Sequence, residues 1–203
     1  PNLFEGSQFP EDAASLDQFF RQITPNTGAY DLGVIADAMA AVFERVGEAV
    51  LITHSQGGGP GWQTALRSQN VKGIISFEPG TEFVFPEGEL PNVSTAVNDA
   101  AGIYLSQEIP LARFEALTRF PIVIYYGDYI SKDNPYWASQ HWNERVEMAK
   151  AFAECVNRHG GDASVVVLPE QGIYGNSHFA FAEKNNLQIA DLMELWLVEK
   201  GLK

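Results

Sequence analysis

A serine, a histidine and a carboxylate carry the chemistry open to this sequence, provided the fold brings them together. Ser55 stands in the run Thr53-His54-Ser55-Gln56-Gly57-Gly58-Gly59, directly after the apolar stretch 49–53. A serine on a sharp strand-to-helix turn is a nucleophile elbow: the turn strains its backbone, exposes its hydroxyl and requires small neighbours. Gly57 and Gly58 meet that requirement on the far side, while Thr53 stands where the usual pattern has glycine. The Gln56 N–H, at the start of the following helix, would point at an oxyanion forming beside Ser55. A glycine-rich turn at a helix start can instead hold a phosphate, but no P-loop lysine follows here.

A serine nucleophile needs a base within reach, and the chain has four histidines. His178, in Tyr174-Gly175-Asn176-Ser177-His178-Phe179, lies in the loop after the last strand-like run. The chain order serine, acid, histidine places the base there. His54 adjoins the serine and is expected to point away and pack beneath the turn. His141 lies in a helical stretch with Trp137 and Trp142, and His159 precedes Gly160-Gly161 at a helix end; both read as structural. Two carboxylates end strands: Glu78 after 73–77, and Asp128 after Tyr126-Gly127. The commoner hydrolase arrangement sets an acid a few residues beyond that glycine, where Ile130 stands. The longer Glu78, on the strand beside the nucleophile strand, is the favoured acid, with Asp128 as the alternative. Its task is to hold the imidazole in one tautomer and stabilise the imidazolium.

The elements that must position these groups alternate. Short β-branched runs at 49–53, 73–77, 121–126 and 164–168 read as strands buried on both faces. Helical patterns cover 11–23, with Leu16, Phe19, Phe20 and Ile23 inward, and Asp31 to Val46, with Val34, Ile35, Ala38, Met39, Val42 and Phe43 inward. Pro25, Asn26 and Gly28 separate the two, Asp31 is a cap and Gly47 a stop. Residues 55–61 read as a turn, 62–68 as a helix, and 136–158 and 184–200 as long helices. This alternation predicts an α/β fold with a mostly parallel sheet, right-handed crossovers and flanking helices. Residues 79–120, with Pro79, Pro86, Pro91 and Pro110, read as an insertion, or cap-like segment, over one end of the sheet. Phe83, Phe85, Tyr129 and Trp137 are weak candidates for lining a substrate pocket.

At 203 residues the chain has room for one domain, and 45% apolar residues argue against wholesale disorder. A net charge of −13 without a basic patch excludes a nucleic-acid binder and disfavours anionic membranes. No apolar run is long enough to span a membrane. Cys155, the single cysteine, cannot form an intrachain disulfide and reads as core; no histidine is arranged around it in sequence. The compartment, whether secreted, periplasmic or cytoplasmic, stays open for a soluble chain.

The runs Leu51-Ile52-Thr53-His54-Ser55-Gln56-Gly57, Ser76-Phe77-Glu78-Pro79-Gly80, Tyr126-Gly127-Asp128 and Gly175-Asn176-Ser177-His178, with 185–192, resemble the bacterial esterase 713-like family of α/β-hydrolases. In that family the acid is a glutamate after the strand that follows the nucleophile strand, which supports Glu78. The resemblance implies hydrolysis of a small carboxylic ester through an acyl-enzyme, with neither metal nor organic cofactor. Acyl transfer or perhydrolysis on the same triad, or a ligand-binding protein on a hydrolase scaffold, are the competing readings. Nothing before Ala49 reads as a buried strand, so the nucleophile strand would lie at an open edge and one oxyanion donor would be absent. Residues 1–203 are therefore expected to be the C-terminal portion of a hydrolase domain. Its N-terminal half would be supplied elsewhere, as a removed segment or another chain, and a homodimer is a further expected partner.

Overall fold

The β-branched runs become strands and the amphipathic stretches between them become helices. The computed structural model describes residues 3–25, 28–80, 82–91, 106–131, 133 and 136–203. In chain order the strands are β1 (Ala49–His54), β2 (Val71–Phe77), β3 (Phe83–Pro86), β4 (Ser106–Ile109), β5 (Pro121–Tyr126) and β6 (Asp162–Val167). The helices are α1 (Ala13–Arg21), α2 (Leu32–Val46), α3 (Gly58–Ala65), α4 (Leu111–Phe114), α5 (Trp137–Arg158) and α6 (Asn186–Glu199). The main sheet has the order β1-β2-β5-β6 and every pair in it is parallel. This is the expected parallel sheet with flanking helices. Because the strands run in one direction, the loops after β1, β2 and β5 all emerge at one end of the sheet.

Alternation along the strands builds two apolar layers. On one face, Ile74, Ile122 and Ile124 pack with Trp62 of α3 and Phe152 of α5. On the other, Ile75, Val123 and Tyr125 meet Ile189 and Trp196 of α6. In the region 79–120, β3 and β4 pair in parallel as a separate two-stranded sheet, and Phe83 and Phe85 enter the first core layer. Asn26 of the expected helix break, and residues 81 and 92–105 of the expected insertion, lie outside the described residues.

Asp31 caps α2 by accepting the Val34 N–H at 3.0 Å. Gly47 ends that helix at φ +83°, a conformation that favours glycine. The apolar faces of α1 and α2 differ from expectation. No residue of α1 is buried, and Phe20 and Ile23 are exposed. In α2 only Ala36 and Phe43 are buried, while Val34, Ile35 and Val42 face solvent. Strand β1 is likewise not enclosed on both faces: it forms a sheet edge, and Ile52 is 56% exposed. Sequence periodicity marks which residues share a face; whether a second layer covers that face depends on tertiary packing, and among the described residues these faces are largely uncovered.

The glycine-rich segment also differs. Instead of a turn before a helix at 62, Ser55–Gly57 form one 3₁₀ turn and α3 begins at Gly58. The small residues let α3 seat against its neighbours. A Cβ on Gly58 would lie 2.5 Å from Pro79 Cβ, and one on Gly61 would lie 2.6 Å from Thr53 Cγ2. Gly58→Ala is therefore expected to cost about 1–3 kcal/mol through overpacking. Gly28→Ala, with open space around that position, should be near neutral. Urea unfolding of the two variants checks this, and equal midpoints would refute the close-packing argument.

Candidate active site

Each chemical group sits where a strand ends. Ser55 follows β1 at φ +53° and Glu78 follows β2 at φ +43°; both are non-glycine residues in the left-handed region. Such backbone strain costs on the order of 1–3 kcal/mol per residue and persists where the surrounding structure over-determines it. Here the Ser55 carbonyl accepts the Gly80 N–H at 3.1 Å, and the Glu78 N–H donates to the Tyr125 carbonyl at 2.8 Å. The two strained residues are thus fixed to each other's loop and to β5.

These positions converge on His178. Its Nε2 lies 2.8 Å from Ser55 Oγ, and its Nδ1 lies 2.5 Å from Glu78 Oε2. The other carboxylate oxygen of Glu78 accepts the Gly127 N–H at 2.7 Å. An acceptor at Nδ1 requires the proton there, which leaves Nε2 unprotonated to receive the serine proton. The order hydroxyl, imidazole, carboxylate is the arrangement that turns a serine into a nucleophile. Asp128 bonds elsewhere: its oxygens accept the Tyr129 N–H at 2.7 Å and the Gly175 N–H at 3.0 Å. It ties the loop after β5 to the histidine loop. Gln56 follows Ser55 in the 3₁₀ turn and lines a cavity of about 310 Å³ between β1 and α2.

A second cavity, of about 230 Å³, opens beside His178. Tyr129, Ile130, Trp142, Phe179 and Phe4 line it, with Asp128 at its wall. Of the four candidate pocket residues, Tyr129 is therefore at the site, stacked on Phe4 with ring centres 4.4 Å apart. Phe83 and Phe85 are fully buried in the core against Phe152, away from this cavity. Trp137 is exposed and stacks on His141 at 4.7 Å rather than lining the cavity.

Several contributors are invisible in the local sequence. Trp142 packs 4.5 Å from the His178 ring, ring centre to ring centre; its only sequence sign is its place on a helix whose inner face contains other aromatics. Buried Glu183 accepts the Ser177 N–H at 2.7 Å and the Asn176 amide at 2.6 Å. Asn176 and Asn185 exchange amide hydrogen bonds at 2.8 Å. This network, one to seven residues from His178 in sequence, fixes the histidine loop. The Ser139 hydroxyl bonds the Tyr129 carbonyl at 2.5 Å, securing Tyr129 at φ +64°.

Cys155 is buried, and burial pushes its thiol up to about 11, which suits an unreactive core residue. Contrary to the sequence expectation, a histidine stands close to it. Cys155, Glu89 and His159 offer ligand atoms within 4.8 Å of one another. The helical spacing of four residues brings His159 over Cys155, and the third member comes from a distant loop.

No protein-family model matches the chain. A probable secreted lipase, phiG, of a fungal species (strain ATCC 74256) is 29% identical over 184 residues, 79% of this chain and 48% of its own. A novel bacterial esterase of known structure superposes with a TM-score of 0.74 at 25% identity, over 98% of this chain and 53% of its own. The chain thus spans about half the length of these relatives.

His54 packs with its ring centre 4.5 Å from that of His178, and its Nε2–H donates to the His178 carbonyl at 2.7 Å. Burial, and then repulsion from His178, pushes its pKa down to about 4. The unfolded chain therefore takes up a proton at this residue between about pH 6.5 and 4 that the folded chain refuses, so stability is lost as the pH drops through that window. His54→Gln should flatten that part of the stability profile. Thermal midpoints at pH 7 and pH 5 measure it, and an unchanged acid slope would show that His54 is not the titrating group.

Proposed function

We propose that this chain, which has the α/β-hydrolase superfamily fold, carries the catalytic core of a serine-dependent carboxylic-ester hydrolase related to the bacterial esterase 713-like family. The observation that carries this reading is the continuous hydrogen-bonded path from Ser55 Oγ through His178 to Glu78, with Ser55 held at φ +53°.

In the proposed cycle, Ser55 Oγ attacks the ester carbonyl carbon as its proton passes to His178 Nε2. Glu78 keeps the Nδ1 proton in place and stabilises the imidazolium without accepting that proton. The Gln56 N–H donates to the carbonyl oxygen as it becomes an oxyanion. The tetrahedral intermediate collapses as the bond from the carbonyl carbon to the ester's alkoxy oxygen breaks; that oxygen takes the proton from Nε2, and the alcohol departs, leaving an acyl-Ser55. Water then gives a proton to Nε2 and attacks the acyl carbon, and the same proton returns to Ser55 as the acid departs. The apolar cavity beside His178 suits a small uncharged acyl or alkyl group. The Asp128 carboxylate at its wall and the net charge of −13 disfavour anionic esters.

The proposal extends to the sheet edge. A further strand pairs along β1, and the chain segment entering the site with it supplies the second oxyanion N–H. The exposed Ile52 and the edge position of the nucleophile strand support this. Hydrogen exchange in the natural gene product tests it. Every amide of residues 49–54 should be protected; alternate amides exchanging as in an open edge would overturn it.

The function is tested by hydrolysis of a short-chain aryl ester in the natural gene product. Ser55→Ala should lower kcat by at least about 10⁴-fold. Glu78→Gln should lower it by about 10³–10⁴-fold and Asp128→Asn by less than about tenfold. Undiminished turnover by Ser55→Ala would remove the nucleophile assignment, and the reverse order of the two acid variants would transfer the acid role to Asp128. Tight ligand binding without turnover by the unmodified protein would favour a binding role for the scaffold.

A further inference from the structure

The C-terminal end of α5 carries a cluster that the ester chemistry does not use. Cys155 and His159 lie four residues apart at the end of the helix, and the partly exposed Glu89, just past β3, reaches both. The Glu89 oxygens lie 2.9 Å from His159 Nε2 and 3.7 Å from Cys155 Sγ, and no pair among the three ligand atoms exceeds 4.8 Å. We propose that Glu89, Cys155 and His159 form a binding site for a thiophilic divalent cation of the Zn²⁺ type, separate from the Ser55 site.

The chemistry of the donor set selects the ion. A thiolate, an imidazole and a carboxylate match zinc, with metal–ligand lengths of about 2.0–2.3 Å, and leave the fourth tetrahedral position to water. Oxygen-seeking Mg²⁺ and Ca²⁺ are disfavoured by the sulfur. Zinc-type lengths place ligand atoms about 3.3–3.6 Å apart. Closing the cluster onto an ion therefore needs shifts of about 1 Å, within the reach of the partly exposed Glu89 and His159 side chains. One thiolate and one carboxylate balance a divalent charge. The thiol proton goes to solvent on binding, so affinity should rise with pH.

Location separates this site from the triad. Ser55 and Glu78 follow the C-terminal ends of parallel strands, whereas His159 caps α5 three residues before β6 begins. The cluster thus lies toward the opposite end of the sheet, where the Phe114 ring stands edge-on to His159 at 5.6 Å. Without an ion, Arg158 occupies the electrostatic role, with its guanidinium 3.0 Å from Glu89 Oε2. That side chain is 56% exposed and can turn outward. A bound ion would tie the loop after β3 to the end of α5 and stabilise the folded state by mass action.

Titration of the natural gene product with Co²⁺ and then Zn²⁺ tests the site. One equivalent of Co²⁺ should produce a near-ultraviolet thiolate-to-metal absorption band that Zn²⁺ abolishes. Cys155→Ser should remove the band. His159→Gln and Glu89→Gln, at partly exposed positions, should each weaken binding by at least about tenfold. Arg158→Gln should tighten it about threefold to fivefold, the scale of one exposed ion pair. Ser55→Ala should leave the band intact, which separates this proposal from the esterase reading. No band at millimolar Co²⁺, or a band unaffected by His159→Gln and Glu89→Gln, overturns the proposal.

Discussion

A buried carboxylate must have its hydrogen-bonding demand met, and the way Glu78 meets it organises this molecule. One oxygen accepts the Gly127 N–H beyond β5 and the other faces His178 Nδ1. Burial makes an unpaired Glu78 expensive, so each partner holds the others in place. Loops after three strands and the loop after β6 are thereby drawn to one point. The parallel register makes this possible: His54 stands opposite Phe77, and Phe77 opposite Tyr125, so the residues after each strand reach the same level. Antiparallel strands would have sent alternate loops to the far end.

The histidine needs its own support, because its loop has no regular structure to hold it. Glu183 plays for that loop the part that Glu78 plays for the ring. It accepts the Ser177 N–H and the Asn176 amide, while Gly175 is tied to Asp128 on one side and its carbonyl accepts the Gln8 N–H on the other. The His178 ring then lies among Trp142, His54 and Phe179. Neutral His54 contributes contact without placing a second positive charge beside the imidazole. Such preorganisation is what allows a proton to move between fixed partners without reorganising the site.

The strands and the three converging residues were legible because each rests on a local rule. A β-branched run of five or six residues means a strand, though β1 and β6, at the sheet edges, are only partly buried, and a serine between such a run and glycines means a strained elbow. Spacing and resemblance favour Glu78 over Asp128, and the two differ in their partners: Glu78 faces His178 Nδ1, whereas Asp128 accepts two backbone N–H groups. What local rules could not show was which surfaces meet. Phe83 and Phe85 read as pocket aromatics within a proline-rich segment, yet both pack in the core, Phe83 against Trp62 and Phe152 and Phe85 against Phe152. Trp142 looked like one aromatic among several on α5, yet it is the one that reaches His178. The partners of Cys155 were hidden in the same way, since Glu89 is 66 residues away in sequence.

The apolar edge follows from the same physics. In a parallel sheet, the strand bearing a nucleophile gains most from neighbours on both sides, because the elbow's strain must be over-determined by its surroundings. In this chain β1 has β2 on one side, while its other side joins the exposed apolar residues of α2 around the cavity lined by Ile35, Met39, Leu51 and Ile52. Charged residues or proline usually protect an open edge, and Ala49-Val50-Leu51-Ile52-Thr53 contains neither. An unprotected apolar edge beside the strained Ser55 has the character of an interior surface. The same short run that marks β1 as a strand is therefore also what supports the proposed further strand along its open side.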